Sequence, residues 1–125
     1  MSKNRPARVA DEVRRLLADL IRNEVKDPRV PLMTSVTEVE MSGDLSHAVV
    51  YVSVMGTQDE QKACIEGLSK ASGFMRRELG RRMHIRTSPE LHFRLDNSIT
   101  QGLEMDRLID EVLGKNNLAE DESVD

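Results

Sequence analysis

Seven basic side chains between residues 69 and 94 form the part of this sequence best suited to bind another molecule. Only Glu78 and Glu90 oppose them, so this segment carries a charge of +5. Its basic residues are Lys70, Arg76, Arg77, Arg81, Arg82, Arg86 and Arg94. Clustered Lys and Arg side chains attract the phosphates of nucleic acids. The segment therefore predicts a surface that binds structured RNA.

Helical spacing separates these charges from an apolar stripe. The stripe consists of Ile65, Leu68, Ser72, Met75, Leu79 and Met83. On an ideal helix, Lys70, Arg77 and Arg81 lie within about 40° of one another and nearly opposite the stripe. Ala71-Ser72-Gly73 interrupts the run, and Gly73 is the expected kink because glycine weakens a helix interior. The pattern favours a basic ridge pointing away from the core, although a solvated helix face without a partner would show the same charges.

The net charge of −4 does not argue against an RNA partner, because the acidic residues are concentrated at one end. Residues 1–103 contain 16 Lys and Arg against 14 Asp and Glu, whereas residues 104–125 contain 2 against 8. We interpret residues 1–113 as a single domain and residues 114–125 as an acidic, disordered tail. Cys64 is the only cysteine, and no apolar run reaches the roughly 18 residues of a membrane span. These features predict a soluble, cytoplasmic protein, which we expect to be a monomer.

No residue pattern in the sequence supports catalysis, a cofactor or a small-molecule substrate. His47, His84, His92 and Cys64 lack the spacing of metal ligands, and we interpret His47 and His92 as ordinary surface histidines. The glycine-rich loops that bind nucleotides are absent as well. The only aromatic residues are Tyr51, Phe74 and Phe93, and Tyr51 is the one candidate for an exposed ring. Recognition of RNA by base stacking is therefore disfavoured.

Periodicity and turn residues predict an α+β fold with a three-stranded sheet covered by helices on one face. Thr57 and Glu60 have the spacing of a capping box, which marks the start of the second helix. Ser98 and Gln101 suggest a similar start for the last helix. The predicted elements are a helix over Pro6–Lys26, strands over Met33–Met41 and Ser46–Met55, two helices meeting at Gly73, a strand over Leu91–Leu95 and a short helix over Met105–Val112.

This order of elements resembles the type II KH fold, and several short motifs resemble the ribosome-binding factor A family of bacterial small-subunit assembly factors. The motifs are Arg8-Val9-Ala10, Lys26-Asp27-Pro28-Arg29, Val39-Glu40-Met41-Ser42, Ala71-Ser72-Gly73-Phe74, Leu79-Gly80, Pro89-Glu90-Leu91-x-Phe93 and Asp96-Asn97-Ser98. Ordinary KH domains hold phosphates with a Gly-x-x-Gly loop between two helices. Here Ala71-Ser72-Gly73 occupies that place, as in the family.

The resemblance implies binding to the free small (30S) ribosomal subunit and assistance in late maturation of 16S ribosomal RNA near its 5′ terminal helix. Residues expected to contact RNA are Lys70, Ser72, Gly73, Arg76, Arg77, Arg81, Arg82 and Arg86, with Arg5 and Arg8 as a second, weaker group. Two alternatives remain open, of which the first uses the same basic surface and the second docks a partner on the predicted hairpin or last helix. One is a general module for structured RNA, and the other is a protein-interaction domain that binds no RNA.

Overall fold

A computed structural model describes residues 5–85, 87–96 and 105–113. The elements are α1 (Arg5–Asn23), β1 (Ser35–Met41), β2 (His47–Ser53), α2 (Gln58–Lys70), α3 (Ser72–Met83), β3 (Glu90–Leu95) and α4 (residues 105–113). The predicted α+β fold and element order are confirmed. Arg86, the Ser98–Gln101 cap and the acidic tail lie outside the described residues. None of the described helices is both long and apolar enough to cross a membrane.

The three strands form one mixed sheet in the order β1-β2-β3. β1 and β2 are antiparallel, and the chain turns between them with Leu45 at a positive φ of 64°. Asp44 stabilises this turn by accepting hydrogen bonds from the Ser42 hydroxyl (2.8 Å) and the Ser46 amide (3.0 Å). β2 and β3 are parallel, so the chain must cross back over the sheet between them. Helices α2 and α3 make this crossover, which places the basic segment on one side of the sheet.

Helix α1 ends at Asn23, three residues before the predicted end at Lys26. The Val25 amide donates to the Leu20 carbonyl at 2.9 Å, which widens the last turn and closes the helix early. Beyond it, the Asp27 carboxylate accepts from the Arg29 amide at 2.9 Å and from its guanidinium at 2.6 Å. These bonds lower the pKa of Asp27 to about 2. The sequence pattern predicted the end of this helix to within three residues, but not that the Asp27 side chain organises the following turn.

The break between α2 and α3 lies at Ala71 and not at Gly73. Ala71 has φ −83° and ψ −1°, which any residue can adopt, so the break requires no glycine. Gly73 instead lies in the first turn of α3. The buried phase continues across the break, because Leu68, Met75 and Leu79 are all fully buried. Both helices therefore pack on the same core despite the change in direction.

The layering differs from the prediction in one respect, since helices lie on both faces of the sheet. α1, α2 and α3 share one core with Ala48, Val50 and Val52. On the opposite face, Val49 and Tyr51 pack against Met105 and Leu108 of α4. Tyr51 is fully buried, so the interpretation of its ring as an exposed candidate was wrong. β2 is the central strand and is apolar on both faces, which requires cover on each side.

The capping box at the start of α2 has the predicted geometry. The Glu60 amide donates to Thr57 Oγ1 at 3.1 Å, and the Thr57 amide donates to Glu60 Oε1 at 2.9 Å. We expect Thr57→Ala to lower the free energy of unfolding by about 0.5–2 kcal/mol, measured by urea denaturation. Thr57→Ser keeps the hydroxyl and is expected to retain most of that stability. Equal losses in both variants would contradict a role for the hydroxyl.

Candidate nucleic-acid interface

A basic groove of about 390 Å³ runs along the outer side of α3. We call it the arginine groove, and its lining residues are Gly73, Arg76, Arg77, Gly80, Arg81 and Ser88. Gly73 and Gly80 are seven residues apart, so they lie two turns apart on the same side of the helix. Neither has a side chain to fill the space between the arginines. The groove can therefore admit a phosphate backbone close to the helix.

Arg77 and Arg81 supply the accessible charge of the arginine groove. Arg77 is exposed and has no hydrogen-bond or ion-pair partner among the described residues. Arg81 donates to Glu78 Oε1 at 2.6 Å, but its side chain is 67 % exposed. An exposed pair of this kind contributes little stability, so a phosphate could replace the carboxylate. The pair lowers the pKa of Glu78, which stays charged at neutral pH.

Arg76 is held in place by the connection between α3 and β3. It is half-buried, and its Nη2 donates to the Ser88 carbonyl at 3.1 Å. This bond fixes the wall of the arginine groove opposite α3. Arg76 thus both lines the groove and shapes it.

Arg82 joins α3 to α1 and is directed away from the arginine groove. Its guanidinium lies 2.9 Å from Asp19, 3.5 Å from Glu24 and 3.4 Å from Glu78. The side chain is only 24 % exposed, and these carboxylates raise its pKa. The sequence suggested a phosphate contact for Arg82, but its geometry fits an anchor between two helices better.

Lys70 and Ser72 flank the break at the start of α3. Lys70 is exposed in the last turn of α2. The Ser72 hydroxyl donates to the Ser69 carbonyl at 2.7 Å, so it reinforces the break. α3 begins without a side-chain cap. Its first N–H groups therefore add partial positive charge to the end of the groove at Gly73.

The second predicted group of RNA-binding residues, at the start of α1, lies near the connection between α3 and β3. Arg5 and Arg8 are both exposed. Arg5 lines a neighbouring groove of about 280 Å³ with Ile85 and Thr87, and the same connection supplies Ser88 to the arginine groove. Further along α1, Arg14 and Arg15 both pair with Asp11, as helical spacing predicts. The first turn of α1 therefore lies where it can extend the basic surface.

Two groove residues, Gly80 and Ser88, were not among the predicted site residues. The seven-residue spacing of Gly73 and Gly80 was a usable signal, because it opens one side of a helix. Ser88 gave no such signal, since only the tertiary fold brings its carbonyl to Arg76.

The histidines at the other face of the sheet also depart from the prediction. His47 and His92 were interpreted as ordinary surface residues, but both are half-buried. His47 Nδ1 lies 3.1 Å from His92 Nε2, and Glu90 lies within 4 Å of each ring. Burial lowers the pKa of His92, which favours the neutral form of this imidazole. The residues are far apart in sequence, and strand register alone brings them together.

Comparison with known proteins identifies relatives along most of the chain. The family model described as ribosome-binding factor A matches residues 5–109. Ribosome-binding factor A of Acetivibrio thermocellus is 47 % identical over 114 residues, which are 91 % of this chain and 93 % of the relative. The crystal structure of ribosome-binding factor A from Thermus thermophilus superposes with a TM-score of 0.65 at 29 % identity, covering 72 % of this chain and 93 % of that one. A homology model of the Thermus thermophilus protein, fitted into a cryo-EM map of a 30S complex, gives a TM-score of 0.56 at 28 % identity, covering 68 % and 88 %.

Proposed function

The chain belongs to the ribosome-binding factor A family, and from this premise we propose that it binds the free small ribosomal subunit. We further propose that it assists late maturation and processing of 16S ribosomal RNA near the 5′ terminal helix. The arginine groove carries this proposal. It offers Arg76, Arg77 and Arg81 around a floor without side chains. A groove of this kind fits a phosphate backbone.

Side-chain charge and RNA shape are the proposed means of recognition. All three aromatic rings are at least half-buried, so none provides a stacking platform. A Gly-x-x-Gly loop is absent, and an ordinary helical residue, Ala71, makes the break between α2 and α3. Without stacking or a clamping loop, reading a single strand base by base is disfavoured. Folded RNA, whose phosphates form a fixed surface, is the better partner.

The proposed mechanism is non-covalent. Binding energy that is larger for one arrangement of the RNA than for another shifts the population toward the favoured arrangement. The protein would therefore act on maturation by stabilising a conformation that processing enzymes accept. The same principle favours free subunits over translating ribosomes if the recognised arrangement is lost when a subunit enters translation.

Cosedimentation with purified small subunits, large subunits and whole ribosomes across a salt series tests this function. We expect binding to small subunits above all. About six phosphate contacts, from Lys70, Arg76, Arg77, Arg81, Arg5 and Arg8, give a log–log salt slope of roughly −4 to −5. Chemical footprinting of the bound fraction should protect the 5′ terminal helix. Equal affinity for unrelated duplex RNA would favour the general RNA module, and salt-insensitive binding would favour a protein-interaction domain.

Gly73→Ala separates the role of the groove floor from that of helix stability. A Cβ at Gly73 would meet nothing closer than Arg77 Nη1 at 3.9 Å. Alanine should therefore raise the free energy of unfolding by up to about 1 kcal/mol, measured by urea denaturation. The methyl group would stand in the arginine groove, and we expect weaker small-subunit binding from the more stable protein. Gly43→Ala is the control, because Gly43 is also in open space but lies in the β1–β2 turn. Unchanged binding by Gly73→Ala would show that RNA does not approach this floor.

A further inference from the structure

We propose that His47, His92 and Glu90 form a binding site for a divalent transition metal of the Zn²⁺ class. The site lies on the sheet face opposite α3, so it is separate from the arginine groove. It does not depend on the proposed ribosomal function. Imidazole nitrogen and carboxylate oxygen are both common ligands of Zn²⁺.

The parallel pairing of β2 and β3 assembles this site. His47 is the register partner of Glu90, and Val49 is the partner of His92. Residues two apart on a strand point to the same face, so Glu90 and His92 stand side by side. His47 shares that face with Val49, which packs against α4. Three potential ligands from two hydrogen-bonded strands thus converge without any loop.

The distances between the ligand atoms approach those of a metal site. His47 Nδ1 lies 3.1 Å from His92 Nε2 and 3.8 Å from Glu90 Oε2, and His92 Nε2 lies 3.9 Å from Glu90 Oε1. Ligands about 2.0–2.1 Å from a tetrahedral zinc ion are separated by roughly 3.3 Å. The two imidazole nitrogens need to separate by only about 0.2 Å. The two Glu90 distances go to different carboxylate oxygens, and one ligand atom from each residue gives a set within 4.8 Å of one another, so the carboxylate has to move by up to about 1.5 Å. Glu90 can make most of that change, because its side chain is 57 % exposed.

Charges of both signs surround the site. His47 and His92 are both half-buried, and their facing ring nitrogens are close enough that only one of the two can carry a proton. The other nitrogen then has a lone pair that can bind a metal ion. Glu111 of α4 is close enough for its negative charge to act on His92, and the positive charge of Arg94 acts on it in the opposite sense. A bound metal would have this second carboxylate nearby, in addition to a water molecule, for its remaining position. The ion would connect β2 and β3 beneath the end of α4.

Titration of the chelator-treated, full-length protein with Zn²⁺ alone tests the proposal. Isothermal titration calorimetry should give one site per chain, and Co²⁺ should give the visible absorption of a tetrahedral complex with nitrogen and oxygen ligands. We expect His92→Gln and Glu90→Gln to weaken Zn²⁺ binding at least about tenfold. Bound Zn²⁺ should also raise the melting temperature of the wild-type protein.

His84→Asn is the matched control for these variants. His84 is the third histidine, it is exposed, and its left-handed φ of 55° is one that asparagine tolerates. Zn²⁺ affinity should be unchanged in this variant. Absence of saturable Zn²⁺ binding, or equal binding by wild type and Glu90→Gln, would overturn the proposal. Glu90→Gln keeps the test independent of folding, since the side chain is exposed.

Discussion

Replacing Arg77 and Arg81 together by Glu is expected to weaken small-subunit binding by about 100-fold in moderate salt. Both side chains line the arginine groove, and both are accessible to a phosphate backbone. Each substitution removes an attraction to phosphate and adds a repulsion. The double Glu variant should therefore lose more binding affinity than a variant in which both arginines are truncated to alanine. Quantitative cosedimentation across a salt series measures the effect. The log–log slope should become shallower by about 2, because two phosphate contacts are lost.

Lys26→Glu with Lys62→Glu is the control that carries the same change in net charge. Both lysines are exposed, and neither lines the arginine groove. We expect this control to bind within a few-fold of wild type. Neither double variant should unfold, since Arg77 is unpaired among the described residues and Glu78 keeps its contact with Arg82 when Arg81 is replaced. Equal losses in both would show that overall charge, and not the groove, determines binding. Wild-type affinity in the Arg77 and Arg81 variant would favour another docking surface.

Local patterns in the sequence predicted the elements of the fold well. The capping box at Thr57 and Glu60 marked the start of α2 to the residue. The apolar phase of Leu68, Met75 and Leu79 predicted that both crossover helices pack on one core. These features involve residues within a few turns of one another. Their spacing is dictated by helix geometry, so it is visible without a tertiary structure.

Roles that depend on distant partners could not be predicted in this way. Arg82 was grouped with the phosphate ligands, because Asp19 and Glu24 lie 63 and 58 residues away from it in sequence. The pairing of His47 with His92 likewise depends on the register of two parallel strands. Tyr51 shares one face of β2 with the polar residues His47 and Ser53, so its burial was not visible in the sequence. The packing of α4 buries it. In each case, the missing information was which surfaces meet in the fold.

The arginines of α3 therefore have two different roles, one in holding the fold together and one in binding a partner. Arg82 anchors α3 to α1, and Arg76 holds the connection to β3. Arg77 and Arg81, with the part of Arg76 that lines the groove, are left to meet a partner. This division explains how a short, glycine-containing helix can present charge in a fixed direction. Arg76 thus fixes one wall of the groove, and Arg82 fixes α3 against α1.

The other large effect is expected from the buried side of the same helix. Leu79 is fully buried in the shared core. Leu79→Ala should lower the free energy of unfolding by about 2–5 kcal/mol, because it removes apolar contacts and leaves a cavity. Urea denaturation measures this loss, and Leu79→Met is the control, with an expected cost below about 1.5 kcal/mol.

Leu79→Ala should lower the stability of the protein, whereas the arginine double variant should lower its affinity for the small subunit. The folded fraction of Leu79→Ala, assayed at low temperature, keeps Arg77 and Arg81 on the other side of α3. It should therefore bind the small subunit with an affinity near that of wild type. The arginine double variant should keep its stability and lose its affinity. If folded Leu79→Ala lost affinity as strongly as the charge reversal, binding would depend on the packed position of α3 more than on its exposed charge. Recognition would then rest on the shape of the crossover helices, with the arginines in a secondary role.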